Sequence, residues 1–257
     1  ATNSYNVAVG YDAGVSVTTG LQNTIIGGLA GDALTTGDGN IAIGHSALST
    51  EDANNYNVAI GVSALETLNA GADGYNVAIG YNVGALMTTG ISNTLIGALA
   101  GDALTDADYN IAIGREALTS DTLGSRSVAI GNHSLQTQNF TTATNTYNVA
   151  VGYDAGTAIT TGTLNTLIGG LTGDALTTGF ANVVMGGQAL SAEDTGRKNV
   201  AIGFAALELQ NYDADNLNVA VGFYAGGVVT TGIQNTFVGS LAGDATDDAS
   251  YNTAVGH

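Results

Sequence analysis

Asn6-Val7-Ala8-Val9-Gly10 returns as Asn57-Val58-Ala59-Ile60-Gly61, and the shared form Asn-x-Ala-aliphatic-Gly decides how this chain is read. Copies of the unit start at Asn6, Asn23, Asn40, Asn57, Asn76, Asn93, Asn110, Ser127, Asn148, Asn165, Asn182, Asn199, Asn218, Asn235 and Asn252. Most steps are 17 residues; Asn57 to Asn76 and Asn199 to Asn218 are 19, and Ser127 to Asn148 is 21. The longer steps all close the fourth coil of a larger unit. The 257 residues therefore read as one repeat domain in four-coil blocks, 6–75, 76–147, 148–217 and a partial 218–257, with a period of about 70 residues.

A second column keeps the same phase. Eight places after each core start stand Gly14, Gly31, Leu48 and Leu65, then Gly84, Gly101, Leu118 and Leu135, then Gly156, Gly173, Leu190 and Leu207. The core is short and β-branched, its flanks are rich in Gly, Asn, Asp, Ser and Thr, and no segment carries a sustained helical stripe. Two short strands and two turns fit a 17-residue coil. Equivalent strands stacked at ~4.8 Å make fourteen steps roughly 67 Å long. The expected fold is an all-β parallel β-solenoid, or β-roll, of about fifteen coils.

Composition excludes several classes. Hydrophobic residues are 44% of the chain and charged ones 10%, the reverse of a disordered acidic tail. The 38 glycines do not fall every third residue and proline is absent, which removes collagen. At a net charge of −18, with only Arg115, Arg126, Arg197 and Lys198 as permanent cations, nucleic acid and anionic membranes are repelled. No apolar run is long enough to span a bilayer, so membrane insertion is not expected. The absence of cysteine removes disulfides and thiolate metal sites. Ala1 to Tyr5 do not read as a signal peptide, and Asn252 to His257 match the start of a third coil, so the sequence reads as a segment or as a stack with uncapped ends.

Strand periodicity puts the first and third residues after each Asn on one side and the second on the other. The third is aliphatic throughout and is expected to line the coil interior. The second is Ala in most coils, including Ala8, Ala42, Ala59 and Ala78, but becomes Ile25, Leu95, Leu167 and Phe237 in the second coil of each block. Because a water-facing strand usually carries polar residues, this column is expected to be a subunit interface. The Asn column is expected to form a hydrogen-bonded ladder that also satisfies turn backbone.

Nothing in the chain assembles a catalytic constellation, a phosphate loop or a cofactor motif, so no enzyme and no cofactor are expected. His45, His133 and His257 read as surface turn residues. Asp32, Asp102, Asp174 and Asp244 recur once per block, too far apart along the stack for one ion; Asp32 and Asp38, on adjacent turns, are the weak calcium candidates. Thr-Thr-Gly recurs, as at Thr18-Thr19, but the third and fourth coils lack it, which makes a poor lattice match for ice. Three fourth-coil loops, 68–75, 136–147 and 210–217, interrupt the regular array and carry Phe140, Tyr147 and Tyr212, which could stack on sugar rings.

Stretches such as Asn40-Ile41-Ala42-Ile43-Gly44-His45-Ser46-Ala47-Leu48 resemble the head repeats of trimeric autotransporter adhesins, and more closely the related repeats of phage tail fibres and bacterial surface proteins. The resemblance spans essentially the whole chain. It implies a parallel β-roll whose three chains associate into a homotrimer on a cell surface, in the extracellular space or on a virion. Its implied role is a fibre segment that meets a glycan or protein receptor. Coils of 17 residues are longer than is usual in adhesin heads, and no coiled-coil stalk, membrane anchor or chaperone domain is expected within these residues. The other expectations are a carbohydrate-binding module using the fourth-coil loops, and a filament or sheath subunit stacking end to end.

Overall fold

The computed structural model describes residues 4–71 and 73–257 and contains, among them, seventeen strands and no helix. In chain order they are β1 (Val7–Val9), β2 (Thr24–Ile26), β3 (Ile41–Ile43), β4 (Val58–Ile60), β5 (Val77–Ile79), β6 (Thr94–Ile96), β7 (Ile111–Ile113), β8 (Gly124–Ser125), β9 (Val128–Ile130), β10 (Thr144–Asn145), β11 (Val149–Val151), β12 (Thr166–Ile168), β13 (Val183–Met185), β14 (Val200–Ile202), β15 (Val219–Val221), β16 (Thr236–Val238) and β17 (Thr253–Val255). The chain divides into two units. One holds residues up to Arg126 with Phe140–Asn145; the other holds Ser127–Asn139 with Thr146–His257.

In the first unit β1 to β7 pair successively, parallel and without slippage, so that Val7 faces Thr24 and Ala8 faces Ile25. The short β8 and β10 pair separately, Gly124 with Thr144. In the second unit β9 pairs with β11, and β11 to β17 continue in the same way. Seven rungs and eight make the fifteen coils of a parallel β-solenoid, with successive strands mostly 17 residues apart. The pentapeptide is thus the rung itself.

The Asn column joins each coil to the next and, in the first, second and third coils of the blocks, also holds the coil closed. Asn40 donates from Nδ2 to the carbonyl of Asn54, fourteen residues along its own coil, at 2.7 Å. Its Oδ1 accepts the main-chain N–H of Asn57, one coil on, at 2.9 Å. Asn23 does the same with Gly37 and with the Asn40 N–H. Both side chains are fully buried, so each would otherwise leave polar groups without water. At the one coil that begins with serine, Gln138 completes the ladder: it donates to Ser127 Oγ at 2.8 Å and accepts from Asn148 Nδ2 at 2.8 Å.

The strand faces are the reverse of the sequence-based expectation. Ala78 is 0% exposed while Ile79 beside it is 36% exposed, and Ala112 is 0% exposed while Ile111 is 37%. Ile25, Leu95, Leu167, Phe237, Ala42, Ala59 and Ala78 therefore line the interior of the coil and are not a subunit interface. Ala8 belongs to the same inward column, although its coil leaves it exposed. The expected packing partner of this column does exist, inside the same chain. Third and fourth coils combine the small Ala with an inward, fully buried leucine such as Leu48 or Leu65.

First and second coils place glycine at the leucine position, and the large residue of the second coil fills the space. A Cβ built on Gly14 would lie 2.8 Å from Ile25 Cδ1, one on Gly84 3.0 Å from Leu95 Cδ1, and one on Gly226 2.9 Å from Phe237 Cδ2. Large and small alternate because one lumen must be filled at constant density.

Candidate interaction face and block-closing loops

Outward of the strands run the first and third positions of every rung. All thirty are Val, Ile or Thr except Met185, and none is charged. The column just before each Asn and the column just after each rung glycine flank them and supply most of the aromatic residues. Among the described residues, every exposed large apolar side chain other than Val15, Leu86, Leu209 and Tyr212 lies in these four columns. In the flanking columns, Tyr56 and Tyr75 stack at 5.3 Å, and Phe204 and Phe223 at 5.8 Å. Arg126 sits 5.2 Å from the centre of the Tyr109 ring. Stiff β-branched side chains at rung spacing, bordered by tyrosine, make an apolar stripe on each unit.

The fourth-coil loops are built differently. Eleven places after the core start, the inward residue is apolar in the first two coils of each of the three complete blocks and acidic in the third: Glu51, Asp121 and Glu193, each fully buried. Sequence reading missed these three, although an acid in the third coil of each complete block, in a column whose first and second coils there are apolar, was the available signal. Asp121 Oδ1 accepts the N–H of Gly124 at 3.1 Å and that of Phe140, the first residue of the long loop, at 3.0 Å. Glu193 accepts the N–H of Gly196 at 2.7 Å, that of Tyr212 at 3.3 Å, and Asn216 Nδ2 at 2.6 Å. Glu51 accepts the N–H groups of Ala53 and Asn54 at 3.0 and 2.7 Å.

Burial drives Glu51 up to about 7 against the lowering effect of those N–H donors, and neighbouring Asp52 adds to the rise. Burial likewise raises Glu193, opposed by Gly196, Tyr212 and Asn216. From outside, the loop of the third block is clamped by Lys198 on Asp215 at 2.5 Å, with Arg197 at 3.8 Å from the same carboxylate. The Lys198 hydrogen bond holds Asp215 below its ordinary value. Arg126 bonds Asn145 in the same way. In the first block, Asn55 Nδ2 and the Tyr75 hydroxyl both donate to Asp73; Ala72 of that loop lies outside the described residues.

Of the loop aromatics, Phe140 is 7% exposed and packs inward, so it cannot present a ring to a sugar. Tyr212 and Tyr147 are exposed, Tyr147 within the flanking tyrosine column. Asp38 is committed to the stack, accepting the N–H of Leu21 at 2.7 Å. Asp32 contributes no second carboxylate contact to it, and among the described residues no three His, Asp or Glu side chains gather as a metal donor set. The first threonine of each Thr-Thr-Gly also serves the stack, as Thr18 Oγ1 donating to the Thr35 carbonyl shows. A scan against family models and searches of curated proteins and solved structures found no match to this chain.

Proposed function

We propose that this chain is a structural and adhesive segment of an extracellular or virion fibre, with no catalytic role, working as a homotrimer of the phage tail fibre or bacterial surface adhesin type. The observation that carries this reading is the pair of uncharged, β-branched strand columns outside a lumen whose buried Asn side chains join coil to coil. Such a molecule extends and presents a surface, and burial of its inward columns supplies the rigidity. Negative-stain electron microscopy of the purified protein tests it: elongated particles of one length are expected. Compact particles, or filaments of unlimited length, oppose it, the latter favouring a sheath subunit.

A second reading rests on Tyr212, exposed on a loop held by Glu193 inside and Lys198 outside. A rigid loop carrying an aromatic ring suits a glycan receptor. Under this reading, glycan-array binding disappears when residues 210–217 are shortened to the 17-residue pattern.

A further inference from the structure

We propose that Tyr56 and Tyr75 form an oxidative cross-linking site: a one-electron oxidant couples their rings into dityrosine and so staples the fourth coil of the first block across its 19-residue step. The residue just before the core start of the fourth coil is Tyr56, Arg126 and Lys198 in the three complete blocks. Arg126 reaches Asn145 and Lys198 reaches Asp215, each a polar clamp on the long loop. Tyr56 has no cation to offer. Its ring lies instead against that of Tyr75, the residue that precedes the next core start.

The backbone sets the two rings side by side. Both tyrosines stand in the same left-handed conformation, φ 61° and 50°, so their side chains leave neighbouring rungs in parallel. Main-chain bonds on either side keep those rungs level: the Gly74 N–H donates to the Asn55 carbonyl at 3.0 Å, and the Val58 N–H to that of Asn76 at 2.8 Å. The rings stack with centroids 5.3 Å and planes 12° apart, as an offset aromatic pair does. Gly39 makes room on the far side of Tyr56, where a Cβ would lie 2.9 Å from Cδ1. The two tyrosines are 49% and 54% exposed, so a diffusing oxidant reaches them. Among the described residues no other two tyrosine rings are in contact.

Asp73 supplies the proton acceptor. Its Oδ2 accepts the Tyr75 hydroxyl at 3.0 Å, and Asn55 Nδ2 holds Oδ1 at 2.7 Å. That hydrogen bond raises Tyr75 above its ordinary value, so the phenol stays neutral until an electron leaves, and its proton then passes to the carboxylate. Each ring loses one electron and its phenolic proton, which leaves a radical shared between the oxygen and the ortho carbon Cε. The two Cε atoms form a carbon–carbon bond, and the hydrogens they carried move to the oxygens and restore both phenols. Hydrogen peroxide, as terminal oxidant, takes the two electrons and two protons and becomes two waters. Radicals held this close couple within one chain before either meets a second chain.

The test is oxidation of the dilute whole chain by hydrogen peroxide and a haem peroxidase, read by dityrosine fluorescence, denatured mass and peptide mapping. The chain is expected to stay at 25.5 kDa, to lose two hydrogen atoms, and to yield one linked peptide pair after cleavage at Glu66 and Asp73, which lie between the two rings. Tyr56→Phe and Tyr75→Phe keep a ring but remove the phenol, and each is expected to abolish that pair; Tyr147→Phe is expected to retain it. Asp73→Asn is expected to slow its formation roughly tenfold. Unfolding the chain in urea before oxidation is expected to lower the yield by a similar factor. An unchanged mass, a linked pair that omits Tyr56 or Tyr75, or equal yields from folded and unfolded chain overturns the site. Covalent dimers in place of the internal link do so too. An unaltered rate in Asp73→Asn overturns the role given to that carboxylate.

Discussion

Single residues carry more of this fold than is usual, because each recurs along the stack and a defect in one coil meets the coils on either side of it. Replacing Asn40 by Ala leaves the Asn57 N–H and the Asn54 carbonyl buried without their partner. At roughly 1–3 kcal/mol for each group left unsatisfied, the expected loss is about 2–4 kcal/mol in urea unfolding. Leu48 shows a different compromise: it stands at φ 54°, a left-handed conformation costing a non-glycine residue about 1–2 kcal/mol, yet it is fully buried in the lumen. Burial of a leucine side chain, worth about 1.5–3 kcal/mol, outweighs that strain.

Leu48→Gly removes both strain and packing, while Leu48→Ala removes only the packing. The glycine variant is therefore expected to be no less stable than the alanine variant, contrary to the order at ordinary core sites. The rung glycine has no such alternative. Gly61 has φ 137°, and a Cβ there would lie 2.0 Å from the Gly80 carbonyl oxygen, so Gly61→Ala must break the stack locally. The ladder role of Asn was legible in the sequence, since an amide repeated at strand spacing has few other uses. The exchange of Gly for Leu was visible too, but not what filled the vacated volume.

At the scale of the coil, three residues of strand are enough because parallel pairing continues from rung to rung. The fourth coil breaks the 17-residue count, and in the second and third blocks a buried carboxylate from the coil before it, Asp121 or Glu193, takes up a main-chain donor of the inserted loop, whereas Glu51 closes only the turn of its own coil. Asp121→Ala should free the Phe140 N–H, raising hydrogen exchange at that amide at least about tenfold while strand amides stay protected. The Glu51 carboxyl gives a pH signature. Its folded value of about 7 lies above the ordinary 4.5, so the neutral form is favoured in the folded chain. The stabilisation is complete below pH ~4.5 and is lost as pH rises through about 7; Glu193, shifted in the same direction, adds to it.

Thermal unfolding is accordingly expected at higher temperature at pH 5 than at pH 8, and Glu51→Gln is expected to flatten that slope. A profile that is already flat in the wild type, or unaltered by the substitution, contradicts the role of burial at this site. That the long loops depart from the array was plain from the 19- and 21-residue steps. What anchors them was not read, because an acid in a turn-rich sequence is ordinarily a solvated one.

At the largest scale, coils within each unit touch chiefly their neighbours along the stack, which makes stability a sum of local terms and nearest-neighbour contacts. A defect should therefore spread only a few rungs. In Gly61→Ala, hydrogen exchange is expected to rise at β3 to β5 while the amides of β12 to β15 keep wild-type protection. Uniform loss of protection would mean cooperativity reaching far beyond neighbouring coils.

Repetition made the coil count, the parallel pairing and the in-register ladder readable without a structure, because equal spacing of one pentapeptide leaves few ways to satisfy its backbone. Which side of the strand faces inward was decided only in three dimensions. A period of two separates Ala42 from Ile41 and Ile43 but does not say which of them the closing turns enclose. The enclosure is settled by volume across the lumen, where Leu48 and Leu65 meet alanine and Ile25 meets glycine, and those partners come together only when the chain has turned back on itself.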